Sequence, residues 1–279
     1  MIFFPNCKIN IGLYITGRRE DGFHNIESVF YPIGLCDALE MRINNKSQTE
    51  FFLSGLGVRE GYVCSDENNS VLKAFNILKK DFAQIKHTKI YLHKGIPCCA
   101  GLGGGSSDAT FCLKLTDYTF NLNLTEKQYQ TYTSVLGSDN PFFVKNVASF
   151  VYGRGEKMEN HFLCLKDYYI VLIKPELNIS TKEAYGNVHI THTPYDLRKL
   201  TVEEIGEWKN YVKNDFEKHL FEKYPILKQT KQMLYDMGAL YAQMSGSGAT
   251  LYGIFDKEQD IGELKKNKVL FVYQERIKQ

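Results

Sequence analysis

No apolar run in the sequence approaches the roughly 20 residues that a helix needs to cross a bilayer. A mean hydropathy of −0.31 agrees with a chain that folds in water. Excess charge of one sign is also missing: 34 Lys and Arg stand against 32 Asp and Glu, a net charge of +2. No strong field marks the chain for nucleic acid or an anionic membrane. The Lys-rich "KKNK" at 265–268 reads as a solvated face. The seven cysteines include no CxxC pair and no zinc-like spacing, so free thiols in a reducing cytosol are expected. "HITH", from His189 to His192, has no acidic or thiol partner in a matching pattern, which argues against a metal site there. The opening "MIFFPNCKIN" is too poor in apolar residues, and charged too soon, to read as a secretory signal. Internal repeats and low-complexity linkers are absent as well.

What remains is a chain of 279 residues, 43% hydrophobic, enough for a core and for about two domains at roughly 150 residues each. "KINIGLYI" alternates, with Ile9, Ile11, Leu13 and Ile15 on one face and Lys8, Asn10, Gly12 and Tyr14 on the other. Period two predicts a half-buried strand that carries Lys8 and Asn10 on its polar face. Further strands are expected at 27–31, 38–43 and 50–53, and in "TKIYLHK", "YYIVLIKP", "ATLYGIF" and "VLFVYQ". Val71, Leu72, Phe75 and Leu78 at helical spacing predict a helix over 69–82. Other helices are expected near 181–187, 201–212 and 226–237. Thr125 with Gln128, Ser180 with Glu183 and Thr201 with Glu204 have the spacing of capping boxes. Hairpin-spaced strands mixed with helices favour an α+β fold over a doubly wound sheet. Element order places the division of the chain at 1–152 and 153–279.

"IPCCAGLGGGSSDAT" at 96–110 stands between an expected strand and an expected helix, which is not the setting of a linker. The dinucleotide frame GxGxxG, counted from Gly101, puts Ser106 where its third Gly belongs. The Walker frame fails because no Lys-Ser or Lys-Thr follows. A glycine-rich turn opening a helix near Ser106 or Ser107, with Asp108 in its first turn, is left. Bared backbone amides and the positive end of the helix dipole make such a turn an anion site. The plainer alternative is a tight connection that needs positive φ angles and binds nothing.

Three stretches occur in one order: "PNCKIN", "GLGGGSSDA" and "SGSGATLYGIF". In these the chain resembles the GHMP kinase superfamily, which holds ATP with a glycine-rich loop unrelated to Walker A. Within it, "ITGRREDGFH", "KGIPCCAGLGGGSSDA" and "LGSDNPFFV" resemble the members that phosphorylate a cytidine-diphosphate-linked sugar alcohol. The similarity runs from Pro5 to about Phe255. Departures are Asn6-Cys7 before the catalytic Lys position, Cys98-Cys99 after the loop's Pro, and Phe23 where Tyr is more frequent.

The resemblance implies a two-domain α+β fold, with a ribosomal-protein-S5-like N-terminal domain and a ferredoxin-like C-terminal domain. It also implies transfer of the γ-phosphoryl of ATP to the 2-hydroxyl of 4-diphosphocytidyl-2-C-methyl-D-erythritol, in the non-mevalonate route to isoprenoid precursors. Asp139 matches the catalytic base and Lys8 the second catalytic residue. On local sequence alone, Asp139 in "GSDNP" is a turn former. ATP is expected on Pro97, Cys98, Cys99, Ala100, Gly101, Leu102, Gly103, Gly104, Gly105, Ser106 and Ser107, with Asn69 and Lys94. Phe23 and Tyr185 are expected to sandwich the cytosine, His24 to hydrogen-bond its edge, and Asn10 and Thr181 to contact the substrate. Gly246, Ser247 and Gly248 either touch loop and substrate or form a simple hairpin turn. Mg²⁺ is expected with ATP, its ligands undetermined. Small molecules, not nucleic acid or membrane, are the expected partners. Another GHMP kinase, of homoserine or mevalonate type, would share the loop but not "DGFH" with Tyr185. A non-catalytic nucleotide-binding protein would have no need of both Lys8 and Asp139.

Overall fold

The structure is a computed structural model and describes residues 1–58, 61, 63, 68–186, 188, 190, 194–266 and 270–278, without the side chain of Lys265. Cys64 and both histidines of "HITH" lie outside the described residues, as does the end of "KKNK".

In chain order the first elements are β1 (Ile2–Phe3), β2 (Asn6–Arg18), β3 (His24–Cys36), β4 (Ala38–Ile43) and β5 (Glu50–Gly55). Then come α1 (Ser70–Asp81), β6 (Thr88–Lys94), α2 (Gly104–Phe120), α3 (Glu126–Leu136) and α4 (Phe142–Lys145). They are followed by β7 (Ser149–Gly153), β8 (Lys157–Asn160), β9 (Tyr169–Pro175), α5 (Thr181–Gly186), α6 (Trp208–Tyr211) and α7 (Glu217–Lys223). The chain closes with α8 (Pro225–Asp236), β10 (Tyr241–Met244), β11 (Leu251–Phe255), α9 (Gly262–Lys266) and β12 (Leu270–Arg276). Strands and helices are thus mixed as an α+β fold requires.

Two compact units divide the chain. The first holds Met1–Cys7, Leu35–Cys98 and Gly103–Asn146; the second holds Lys8–Gly34, Cys99–Leu102 and Val147–Gln279.

The first unit is built on a sheet of order β1-β4-β6-β5, in which β4 and β6 are antiparallel and β5 and β6 parallel. A parallel pair needs a crossover, and α1 supplies it. Asn69 caps α1 by accepting from the Val71 amide at 2.9 Å. Val71, Ala74, Phe75 and Leu78, on one stripe of the helix, bury against Leu39, Met41, Ile90 and Leu92 of the sheet and against α2. Val71, Phe75 and Leu78 each contribute about 1.5–3 kcal/mol by leaving water. The Thr125–Gln128 capping box forms and opens α3.

The second unit contains an antiparallel sheet of order β10-β11-β9-β12. Leu220 of α7 and Leu227 and Leu234 of α8 share its core with Val171, Ile173 and Leu251. Pro225 sits at the start of α8, where its missing N–H is no loss. A third sheet, of order β2-β3-β7-β8, completes the architecture.

Some sequence expectations differ from the structure for identifiable reasons. The strand expected to be half-buried is buried on both faces from Cys7 to Ile15. Its polar face is covered too: a Cβ on Gly12 would stand 2.7 Å from Leu197 Cδ2, and Tyr252 donates its hydroxyl to the Asn10 carbonyl at 2.9 Å. The helix expected over 201–212 is split into a 3-10 turn at Val202–Glu204 and the short α6. Trp208 is buried and its Nε1–H donates to the Thr201 carbonyl at 3.1 Å, while the Thr201 side chain makes no cap bond. The Glu204 carboxylate that would complete the expected box accepts instead from Tyr211 Oη at 3.0 Å. Of the Ser180–Glu183 box, the Glu183 amide does donate to Ser180 Oγ at 3.1 Å. The Glu183 carboxylate instead accepts from Tyr224 Oη and Lys223 Nζ at 2.5 and 2.7 Å.

Candidate active site

In the first unit β6 runs into the glycine loop and α2 leaves it. The helix begins at Gly104, two residues before the expected start, and its N-cap is Gly103 in the left-handed region at φ +70°. No side chain caps this end. Amides of a first turn have no intrahelical acceptors, so an uncapped N-terminus offers its donors and its dipole to an anion. Gly104 is required by space, since a Cβ there would lie 3.0 Å from Ile96 Cγ2 and 3.6 Å from Lys94 Nζ. Ser70, the first residue of α1, donates its hydroxyl to the Gly105 carbonyl at 3.0 Å. Ser106 is half-buried, whereas the Ser107 hydroxyl is buried without a hydrogen-bond partner. Such an atom costs stability unless something accepts or donates to it.

Lys94, expected at the nucleotide, ends β6 only 4% exposed and is held by two carboxylates. Its ammonium donates to Asp37 Oδ2 and to Asp108 Oδ2, the latter at 2.5 Å. Burial opposes the charge on Lys94, but Asp108 and Asp37 outweigh it and hold the ammonium above its ordinary range. Burial, with Asp37 adding to it against the opposing pull of Lys94, holds the Asp108 carboxyl well above the usual carboxylate range.

Asp139 is half-buried in the turn that precedes α4, and its carbonyl accepts from the Phe142 amide at 3.3 Å. The next residue ties that turn to α2: buried Asn140 donates its Nδ2 to the Ser106 carbonyl at 3.0 Å, and Thr110 Oγ1 donates to the Asn140 carbonyl at 3.0 Å. The structure thus brings the Asp139 turn to the first turn of α2. Asn69, expected near the adenine, is engaged as the α1 cap.

In the second unit Lys8 is 3% exposed, which contrasts with a solvated lysine on an open strand. Its ammonium donates to Asn10 Oδ1 at 2.5 Å and stands 4.3 Å from the centre of the Phe30 ring. Asn10 passes the link on, donating from Nδ2 to Ser28 Oγ at 2.9 Å. The Lys8 amide donates to the Leu102 carbonyl at 3.0 Å. The third glycine motif does form the hairpin turn between β10 and β11, closed by Ser245 N–H to the Thr250 carbonyl at 2.8 Å. It also packs on the glycine loop: Ser245 Oγ donates to the Gly101 carbonyl at 2.9 Å and the Thr250 amide to the Ala100 carbonyl at 3.3 Å. The hairpin turn and its contact with the glycine loop thus occur together. Gly246 and Gly248 are buried and Ser247 half-buried. Cys99 is exposed at φ +50°, and Pro97 and Cys98 are half-buried.

The "DGFH" segment forms a turn in the same unit. The Arg19 amide donates to the Phe23 carbonyl at 2.8 Å, the Phe23 amide to Asp21 Oδ1 at 3.1 Å, and Gly22 takes φ +83°. The turn displays Phe23 at 53% exposure, with the Arg154 guanidinium 5.1 Å from its ring centre. The ring stacked on Tyr185 here is His24, with centroids 5.0 Å apart and planes 26° from parallel. Phe216 meets Tyr185 edge-on at 4.9 Å. Partial burial, with the Arg18 charge adding to it, lowers the His24 pKa and favours a neutral imidazole that can accept a hydrogen bond. Thr181 is exposed as the first residue of α5.

Asp37, Asn140, Arg154 and Ser245 were not singled out by sequence. The groups bound by the Asp37 carboxylate lie more than fifty residues away, and the Ser245 hydroxyl, although Ser245 opens "SGSGATLYGIF", bonds to Gly101 144 residues away, so neither partner has a local signal. Among the described residues no group of three or more His, Cys, Asp or Glu side chains is arranged to hold a metal ion. No helix among them is long and apolar enough to cross a membrane.

The chain matches the GHMP kinases N terminal domain family over residues 69–154 and the GHMP kinases C terminal family over residues 196–267. A 4-diphosphocytidyl-2-C-methyl-D-erythritol kinase of Bacteroides fragilis is 44% identical over 266 residues, covering 95% of each chain. One of Bacteroides thetaiotaomicron is 43% identical, covering 99% of this chain and all of its own. A crystal structure of 4-(cytidine 5'-diphospho)-2C-methyl-D-erythritol kinase superposes with a TM-score of 0.78 at 25% identity over 98% of both chains. Homoserine kinase from Cytophaga hutchinsonii shares the fold, with a TM-score of 0.63 at 14% identity.

Proposed function

This chain belongs to the 4-diphosphocytidyl-2-C-methyl-D-erythritol kinase family, within the GHMP kinases, and we propose that it phosphorylates the 2-hydroxyl of that cytidylated alcohol with ATP. The observation that carries the reading is the uncapped start of α2, with left-handed Gly103 and the buried, unpartnered Ser107 hydroxyl, in a chain of this family. Phosphoryl transfer asks a protein for positioning and for stabilisation of charge rather than for covalent chemistry. Amides opened by the glycines and the dipole of α2 supply both to the ATP phosphates.

Asp139 takes the proton of the 2-hydroxyl, a contribution of about 10²–10⁴-fold for a positioned base. Lys8 offsets the negative charge of the reacting groups. On this reading the cytidine end is met by Phe23, His24 and Tyr185, with Asn10, Thr181 and the Gly246–Gly248 turn as further substrate contacts. Rings stack on a base without choosing it, and the neutral His24 imidazole supplies the choice through the cytosine edge. ATP comes as its Mg²⁺ complex, and the Ser107 hydroxyl is a protein oxygen fit to face that ion or a phosphate. The division into a nucleotide half to residue 152 and a substrate half beyond it belongs to the same proposal.

ADP release with 4-diphosphocytidyl-2-C-methyl-D-erythritol tests the reading. Turnover by the wild type that falls about a hundredfold or more in Asp139→Asn is the expected result. A folded wild type that binds ATP and ignores this alcohol would overturn the substrate, and homoserine and mevalonate would be tried next. Turnover retained in the variant would remove Asp139 as the base.

A further inference from the structure

The buried cluster of Asp37, Lys94 and Asp108 has no part in the chemistry just proposed, yet it grips both ends of the glycine loop. Asp37 lies between β3 and β4, and its amide is held by the Pro5 carbonyl at 2.9 Å. Its Oδ1 accepts from the amides of Gly95 and Ile96, at 2.6 and 2.7 Å, where the chain leaves β6. Its Oδ2 takes the ammonium of Lys94, the last residue of β6. That ammonium also reaches Asp108, one turn into α2 and beyond the last glycine. Gly104 leaves the room for this approach, since a Cβ there would already press on Ile96 and stand 3.6 Å from Nζ.

Glycine-rich backbone has the most conformational freedom to lose, so a phosphate loop made of it needs its ends fixed by something else. Local propensity cannot do this. A carboxylate that holds two successive amides at one end, and an ammonium that crosses to the other, can. All three side chains are almost fully shielded from water, at 4% exposure or less. A lysine whose ammonium already donates to two buried carboxyl groups has less to gain from a phosphate than a solvated one.

We propose that Asp37 is a positioning residue for the nucleotide phosphates, acting through Lys94 and Asp108 on the two ends of the glycine loop, with Lys94 a tether and not a phosphate ligand. The proposal rests on the kinase reading for the identity of the nucleotide.

The test is Asp37→Ala in the full chain, with ATP binding followed by titration calorimetry beside the KM values for ATP and for the cytidylated alcohol. Removing the Asp37 carboxylate leaves the amides of Gly95 and Ile96 without their acceptor and leaves the ammonium with Asp108 alone. The expected result is ATP binding weakened by about tenfold or more, a matching rise in KM for ATP, and a KM for the alcohol within about twofold of wild type. If Lys94 bound phosphate directly, losing its competing anion would leave ATP binding unchanged or tighter, and that result overturns the proposal. A parallel rise of both KM values with a fall in Tm also overturns it, because the cluster would then be merely structural. Should Asp37→Ala not fold, Asp37→Asn keeps an acceptor for the amides but sets an NH₂ group against the ammonium, and it is read in the same way. A wild type that binds ATP but does not turn over the alcohol removes the substrate reading and leaves the calorimetric test standing.

Discussion

The carbonyl oxygen of Ser245 stands where a side chain on Gly101 would begin: a Cβ at 101 would lie 2.0 Å from it. The two residues also share a hydrogen bond, from Ser245 Oγ to the Gly101 carbonyl at 2.9 Å, across 144 positions of sequence. The hairpin turn near the C-terminus is therefore a wall of the glycine loop. Its own glycines have a similar reason, since a Cβ on Gly246 would meet the Gly101 carbonyl at 3.1 Å.

Gly101→Ala puts a Cβ into that carbonyl and into left-handed backbone at φ +70°. The left-handed conformation alone costs a non-glycine residue about 1–2 kcal/mol, and the contact adds to it. A loss of about 2 kcal/mol or more is expected in urea unfolding, together with a raised KM for ATP. A variant as stable as the wild type would mean that the turn moves aside freely.

Asn140→Ala leaves the Ser106 carbonyl without the side-chain donor that joins it to the Asp139 turn, while the Thr110 hydroxyl keeps its bond to the residue-140 carbonyl. Buried groups left unpaired cost about 1–3 kcal/mol. Stability should fall by that order, and kcat should fall more than KM for ATP rises if Asp139 is the base proposed above, because its turn is released. An unaltered kcat would show that Asp139 is held by other contacts.

The raised pKa of Asp108 has a definite sign in stability. Unfolded, the carboxyl titrates near its ordinary value of about 3.9; folded, burial and Asp37 keep it protonated to higher pH. Its contribution is full below about pH 4 and is lost as pH rises through the folded pKa. Asp108→Asn does not titrate, while Lys94 and Asp37 remain in both proteins. The stability of wild type minus variant should therefore decrease with rising pH across that window. An increase would mean that the folded pKa lies below the unfolded one.

Phe23→Ala removes a ring that the "DGFH" turn holds half in water beneath Arg154. Stacking on a base is worth about 1–3 kcal/mol, so KM for the cytidylated alcohol should rise by roughly 5- to 150-fold, with KM for ATP unchanged. Equal effects on both substrates would take Phe23 out of the cytidine subsite.

Thiol labelling separates the cysteines. Cys99 and Cys164 are exposed, Cys7 and Cys112 are buried, and burial, with Asp108 adding to it, pushes the Cys112 thiol up to about 12. Iodoacetamide followed by peptide mapping should mark Cys99 and Cys164 in the native protein and spare the other two. ATP should slow labelling at Cys99 alone, since that residue lies in the glycine loop. Rapid labelling of Cys112 would contradict its burial.

Much of this was legible in the sequence because its causes are local. The period of Val71, Phe75 and Leu78 set α1, and "TKIYLHK" set β6 over the same seven residues as in the structure. Three adjacent glycines before two serines marked a helix start left open at its N-terminus. The failures were equally physical. Period two could not report that both faces of β2 are covered, and a Thr-to-Glu spacing could not report that Trp208 would turn inward and take the Thr201 carbonyl.

By itself, then, the sequence determined many of the elements, the α+β class and the glycine turn that opens α2, because dihedral preference, capping and amphipathic spacing act within a few residues. Only the tertiary structure decided what the buried polar groups do. Lys94 is bound by Asp37, 57 residues earlier in the chain, and Lys8 shares its proton donors with Asn10. A charge taken out of water must find its counterpart wherever the fold brings one, and that partner is not written in the neighbouring residues.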